Sequence, residues 1–157
     1  MQAREGDHSA IYPLVEAFEK YAPLTIVLLD AHIDYRDLSM DLRYINNTPF
    51  QRIHELPFVD RIITIGARGM KSTDREYWES LGACNSLFPM EQAHDIGIGR
   101  VSSRIDRIGD YYFSLDIDAL DPSIASGTES SEPDGLSFRQ ARQLGSVPKP
   151  PVGRSSK

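Results

Sequence analysis

The chain has little sulfur chemistry and no long apolar run. A single cysteine, Cys84, stands among 157 residues, so no internal disulfide can form and nothing points to an oxidising compartment. No stretch approaches the ~20 consecutive apolar residues that a membrane helix requires. The opening Met1-Gln-Ala-Arg-Glu-Gly-Asp7 lacks the apolar centre of a secretory signal. Positive charge is sparse as well. Seventeen Lys and Arg face 23 Asp and Glu, for a formal net charge of -6, and the signs are interspersed. A nucleic-acid footprint needs a clustered basic face, so neither nucleic acid nor membrane is an expected partner. A soluble cytoplasmic protein is the default expectation. There is no glycine-rich phosphate loop and no internal repeat. What is present is ordinary: 40% apolar and 25% charged residues suffice for one domain with a substantial core.

Three short apolar runs without alternation, Thr25-Ile-Val-Leu-Leu29, Arg61-Ile-Ile-Thr-Ile65 and Tyr111-Tyr-Phe-Ser-Leu115, read as parallel strands buried on both faces. Residues 84–88 are a shorter candidate. Between them lie helical signals. Ile11, Leu14, Val15 and Phe18 recur at spacings of three and four, which predicts an amphipathic helix over 9–21, with His8 at the loop-to-helix junction. Thr48-Pro49 with Gln51, and Thr73 with Glu76, carry capping-box spacing. A further helix is expected over 96–108, weakened by Gly97 and Gly99 at roughly 1 kcal/mol each. A last helix is capped by Ser137 to Gln140. Strands alternating with helices give an α/β fold, a three-layer α/β/α arrangement around a mostly parallel sheet. The domain is expected over 1–145, followed by a disordered proline-rich tail over 146–157.

Two strand ends carry acids. Asp30, His32 and Asp34 follow the first strand at a period of two, and Asp116 and Asp118 follow the third at the same period. In an open α/β sheet, ligands bind beyond the carboxyl ends of the strands. Four carboxylates in one crevice repel: at ~4 Å and an effective dielectric of about 20, each pair costs about 4 kcal/mol. Divalent cations remove that cost, and two of them balance four carboxylates with His8 and His32 neutral. Six side chains fit two ions if two carboxylates are shared. The oxygen and nitrogen donors suit manganese. Such a pair of ions makes water nucleophilic at neutral pH, against a carbon or a phosphorus centre. The shortage of basic residues near the acids leans away from phosphate esters.

Gly6-Asp-His-Ser9, Asp30-Ala-His-Ile-Asp34 and Ser114-Leu-Asp-Ile-Asp-Ala-Leu-Asp-Pro122 resemble, in order, the three metal motifs of the ureohydrolases, the family of arginase and agmatinase. Arg43 to Phe50 and Glu132 to Leu136 resemble the agmatinase branch, and the likeness runs from residue 5 to about 144. The resemblance implies an arginase-like sheet lacking edge strands at both ends, two Mn2+ ions, and release of urea from a small cationic guanidino compound. Self-association of the chain is the accompanying expectation, because the family forms oligomers. By motif, His8 and Asp34 complete one ion's shell and His32 and Asp118 the other's, while Asp30 and Asp116 bridge. Asp34 also acts as acid–base catalyst. Asn46 stands where the family has a histidine that handles substrate or protons, and asparagine cannot titrate. Ser126, Glu129, Ser131 and Asp134 replace family glycines and prolines, so a reshaped loop or positive-φ positions are expected there. A metal-binding chain with impaired turnover, and a one-zinc deacetylase on the same scaffold, are the alternatives.

Overall fold

The computed structural model describes residues 8–35, 44, 47–70, 79, 86–105 and 110–146. The expected helix around residues 73–81 apart from residue 79, the strand's first residues 84–85, Asn46 and the tail from residue 147 lie outside that set. Four parallel strands form one sheet: β1 (Leu24–Leu29), β2 (Val59–Ile65), β3 (Ser86–Phe88) and β4 (Tyr111–Leu115), in spatial order β3-β2-β1-β4. The chain steps outward from β1 to β2 to β3, then returns to place β4 on the other side of β1. That reversal is the topological switch point, where the crevice of a doubly wound sheet opens.

Helices cover both faces. α1 (Ile11–Glu16) and α2 (Pro49–His54) pack on one. There Ile11, Val15, Phe50 and Ile53 meet Leu24, Ile26, Leu28 and Ile62. α3 (Met90–Ile96), α4 (Ile98–Ile105) and α5 (Phe138–Gly145) cover the other, where Met90, Val101, Ile105 and Leu144 meet Val27, Leu29, Ile63 and Ile65. Alternate residues of β1 thus enter opposite cores, and all six are buried. This accounts for a run with no polar alternation.

Several expectations changed. The predicted helix over 9–21 is three pieces: a 3-10 turn at His8–Ala10, α1, and a second 3-10 turn at Glu19–Tyr21. The single helix over 96–108 is two, because Gly97 takes φ +83° and ends α3 before α4 begins. α3 starts six residues earlier than the pattern suggested, behind Pro89. Thr48 sits at the N-cap of α2 with Pro49 in the first turn, but its side chain makes no capping hydrogen bond. Instead the Phe50 N–H donates to the Asp34 carbonyl, 3.3 Å away, so a donor orphaned by the helix start is used to hold the first acidic loop. The Ser137–Gln140 capping box is formed.

Candidate metal centre

β1 and β4 run in register, Leu29 opposite Leu115. The ladder continues one step past both strands: Asp30 N–H donates to Ile65 O at 3.1 Å, and Asp116 N–H to Leu29 O at 2.9 Å. Asp30 and Asp116 are therefore neighbours across the mouth of the sheet. Beyond them the chain does not stay extended, so the period of two after each strand is not a strand spacing. Each aspartate folds its loop back by accepting the N–H two residues on, Asp30 Oδ1 from His32 at 2.7 Å and Asp116 Oδ1 from Asp118 at 3.0 Å. Short aspartate side chains favour such turns over a continued ladder. Asp34 then takes φ +43°, a left-handed conformation that aspartate tolerates better than most residues.

All six expected side chains meet here. His8 Nδ1 lies 3.1 Å from Asp34 Oδ2, 3.3 Å from Asp30 Oδ2 and 3.1 Å from Asp116 Oδ2. His32 Nδ1 lies 3.0 Å from Asp118 Oδ2 and 3.7 Å from Asp30 Oδ1. Two sets of donor atoms, His8/Asp30/Asp34 and Asp30/His32/Asp118, each fall within 4.8 Å of one another. Asp30 belongs to both. Asp116 approaches His8 alone among the contacts above, so its geometry leans toward the first set. Asn46 lies outside the described residues.

One ring nitrogen carries at most one hydrogen, so His8 Nδ1 cannot donate to three carboxylates. Asp30 Oδ2, buried with its residue 1% exposed, accepts no hydrogen bond from the described residues. Three carboxylates aimed at one imidazole nitrogen, one of them with an unsatisfied buried oxygen, fit a cation's donor set better than a hydrogen-bond network. The charges agree. Burial pushes Asp30 well above the usual carboxylate range, against the pull of the His32 contact, and burial also raises Asp116. Burial alone would lower His8, but the Asp34 hydrogen bond and the charges of Asp30 and Asp116 carry it up to about 9. The Asp118 and Asp30 contacts carry His32 to about 10. Burial works against Asp118 too, yet hydrogen bonds from His32 and the Ala31 N–H hold it below the usual value. The site as folded is a set of acids short of positive charge.

The sequence reading overlooked the supports. Phe50 sets its ring edge-on to His8, centroids 5.4 Å apart. Gly69 leaves room for His32: a Cβ there would stand 2.7 Å from His32 Nε2. Gly135 is as confined, since a Cβ would meet Asp121 N at 2.5 Å and Arg68 Nη2 at 2.6 Å. Asp134 takes φ +63°, the conformation expected at a replaced glycine, whereas Ser126, Glu129 and Ser131 do not take positive φ. The loop after the third motif is fastened by an isolated parallel bridge, Leu120 to Leu136. Asp121 accepts the Gly135 N–H at 3.1 Å, and its bonds from Ser123 and Gly135 hold its carboxyl down to about 2.

A model of the arginase family matches residues 5–147. The chain belongs to the arginase family. All six converging side chains lie inside the matched span. Similar arginase-family proteins include the mitochondrial agmatinase of Gallus gallus, 32% identical over 145 residues, covering 88% of this chain and 43% of that protein. The guanidinopropionase of Pseudomonas aeruginosa is 33% identical over 147 residues, covering 88% and 46%. The solved proclavaminate amidino hydrolase of Streptomyces clavuligerus superposes with a TM-score of 0.76 at 29% identity, covering 89% of this chain and 48% of that one. The chain thus spans under half the length of these relatives. Their near-equal identities do not rank one arginase-family substrate above another. Among the described residues, no helix is long and apolar enough to cross a membrane.

Proposed function

We propose that the chain is a binuclear manganese hydrolase that cleaves a guanidino compound to an amine and urea. The carrying observation is the shared Asp30 between two donor sets, with three carboxylates facing His8 Nδ1. In this reading His8 and Asp34 would hold one ion and His32 and Asp118 the other, with Asp30 and Asp116 available to both. Two Mn2+ ions bound there would supply Lewis acidity and make water nucleophilic at neutral pH. The protein's own groups do the rest. Asp34, whose carbonyl accepts the Phe50 N–H at the start of α2, would accept a proton from the attacking water and return it to the leaving amine. Two divalent ions would balance the four carboxylates, so a hydroxide formed there would leave the site net negative, which favours a cationic guanidinium over a neutral or anionic head. Asn46 is assigned to substrate binding, where its amide can hydrogen bond without titrating. A small cationic substrate such as agmatine, a cytoplasmic location, self-association and no nucleic-acid or membrane partner complete the proposal.

Asn46 favours a second reading, in which the centre binds metal but turns over poorly. One experiment separates the two. The full chain, loaded with Mn2+, is offered agmatine, guanidinobutyrate and arginine, and urea is measured alongside bound metal. Urea from one of these supports hydrolysis. Two bound ions with no urea from any supports the second reading, and fewer than two ions overturns both.

A further inference from the structure

Arg68 follows β2, where the sequence shows only a polar residue between small ones. Its guanidinium donates to six carbonyl oxygens: Nε to Glu132 and Pro133 at 3.2 and 2.9 Å, Nη1 to Gly66 and Ala119 at 3.1 and 3.5 Å, and Nη2 to Asp118, Leu120 and Glu132 at 2.8, 3.3 and 2.9 Å. The longer contacts are the shared branches of three-centre bonds, since the head has five N–H groups. Its main chain faces the other way. The Arg68 and Gly69 N–H groups both donate to Ala31 O, at 2.8 and 3.0 Å. Ala31 N–H in turn donates to Asp118 Oδ1 at 3.0 Å. One residue therefore grips both loops that present His32 and Asp118, one through its backbone and one through its side chain. The His8 side is held separately, by Phe50 and the start of α2.

We propose that Arg68 is a positioning residue that fixes the His32/Asp118 half of the centre, so that its loss weakens one metal position and spares the other. The fork is what matters, because a planar guanidinium reaches carbonyls on three separate turns at fixed angles, whereas an ammonium on a flexible stem does not. The inference rests on the two-ion reading above. It extends that reading by saying which ion depends on a residue outside the six ligands.

The test titrates the full chain, stripped of metal, with Mn2+ by calorimetry, and follows the electron paramagnetic resonance of the loaded protein. Wild type is expected to take two ions per chain with a spin-coupled signal. Arg68→Met is expected to keep the first ion within threefold of wild-type affinity. The second should weaken about 10–100-fold, the range for lost outer partners of metal ligands, and the coupled signal should give way to that of an isolated ion. Arg68→Lys should fall between the two. Equal weakening of both ions, or two ions at wild-type affinity, overturns the inference while leaving the two-ion reading intact. A wild type that binds one ion or none removes the reading and the inference together. If Arg68→Met fails to fold by circular dichroism, Arg68→Lys decides: selective weakening of the second ion supports the role, and unchanged affinity refutes it.

Discussion

Gly69→Ala is the sharpest steric probe of the centre. Gly69 has no left-handed φ to defend, so alanine adds only a methyl group. That methyl would stand 2.7 Å from His32 Nε2, 2.8 Å from His32 Cδ2 and 3.0 Å from Glu132 Cγ. Comfortable separations are about 3.5–4.0 Å, so the ring must move by about 1 Å. It has nowhere easy to go. Its Nδ1 faces Asp118 at 3.0 Å, and the His32 backbone N–H is tied to Asp30 Oδ1 at 2.7 Å. The imidazole swings out of line with Asp118 and Asp30, and the second donor set loses its nitrogen. Disturbing a ligand's support costs about 10–100-fold in metal affinity, or about 1.4–2.7 kcal/mol. A reacting group displaced by about 1 Å costs on the order of 10²-fold in rate. Calorimetry with Mn2+ and urea release read the two effects separately. Gly99→Ala is the control. Its Cβ meets only Gln143 Nε2, at 3.7 Å, inside α4, and should stabilise the fold by about 0.5–1 kcal/mol without touching metal binding. A Gly69→Ala chain that binds two ions as wild type does would show that the His32 ring is not held where the structure puts it, and the steric reasoning fails.

Three further outcomes are expected. Asp116→Ala should abolish binding of both ions, since a shared carboxylate serves both shells; loss of one ion alone, measured by metal analysis after dialysis, would deny the sharing and agree with the lean of Asp116 toward His8. Asn46→His should raise the rate of urea release, and an equal or lower rate would mean that the loop is misaligned with the family. Affinity for Mn2+ should rise with pH, because His8 and His32 have pKa values of about 9 and about 10 without metal and must lose their protons to bind it. Below those values loading releases protons, near tenfold in affinity per pH unit for each proton displaced. A flat titration between pH 6.5 and 8.5, or no buffer dependence of the binding enthalpy, would refute that assignment.

The parts legible in the sequence were those encoded by side-chain pattern. β4 begins and ends where the apolar run does, and β1 differs by one residue. The six acids and histidines were legible because a buried strand end has little other use for so many charges. The joints were hidden. Period-two spacing aims side chains one way only where strand geometry persists, and here Asp30 and Asp116 turn their loops by binding the backbone two residues on, a choice that depends on what the next strand leaves free. Thr48 carries a capping signature but is fully buried, and Asp34 O takes the helix donor. Arg68 was overlooked because its partners are carbonyls, which every residue owns and no motif records. Gly69 and Gly135 looked like loop glycines, because the atoms that confine them come from remote segments.

Strand order is what turns two ordinary turns into one centre. Parallel neighbours end at the same mouth, and β1 and β4 match from Thr25 with Tyr111 to Leu29 with Leu115. The residue after each strand is an aspartate, and each aspartate folds its loop in the same sense. The second ligand of each loop, His32 and Asp118, therefore emerges at the same height and at 3.0 Å from the other. Had β4 been added beyond β3, Asp116 and Asp118 would lie two strands further from Asp30, at about 4.8 Å per strand, outside any common shell. The return of the chain past β1 is thus the step on which the proposed dinuclear arrangement depends. Mutations in β3 should then destabilise the fold without separating the ligands from one another. Mutations that shift the register of β4 against β1 by a single residue would turn its acids to the other face of the sheet and leave Asp30 with one donor set instead of two.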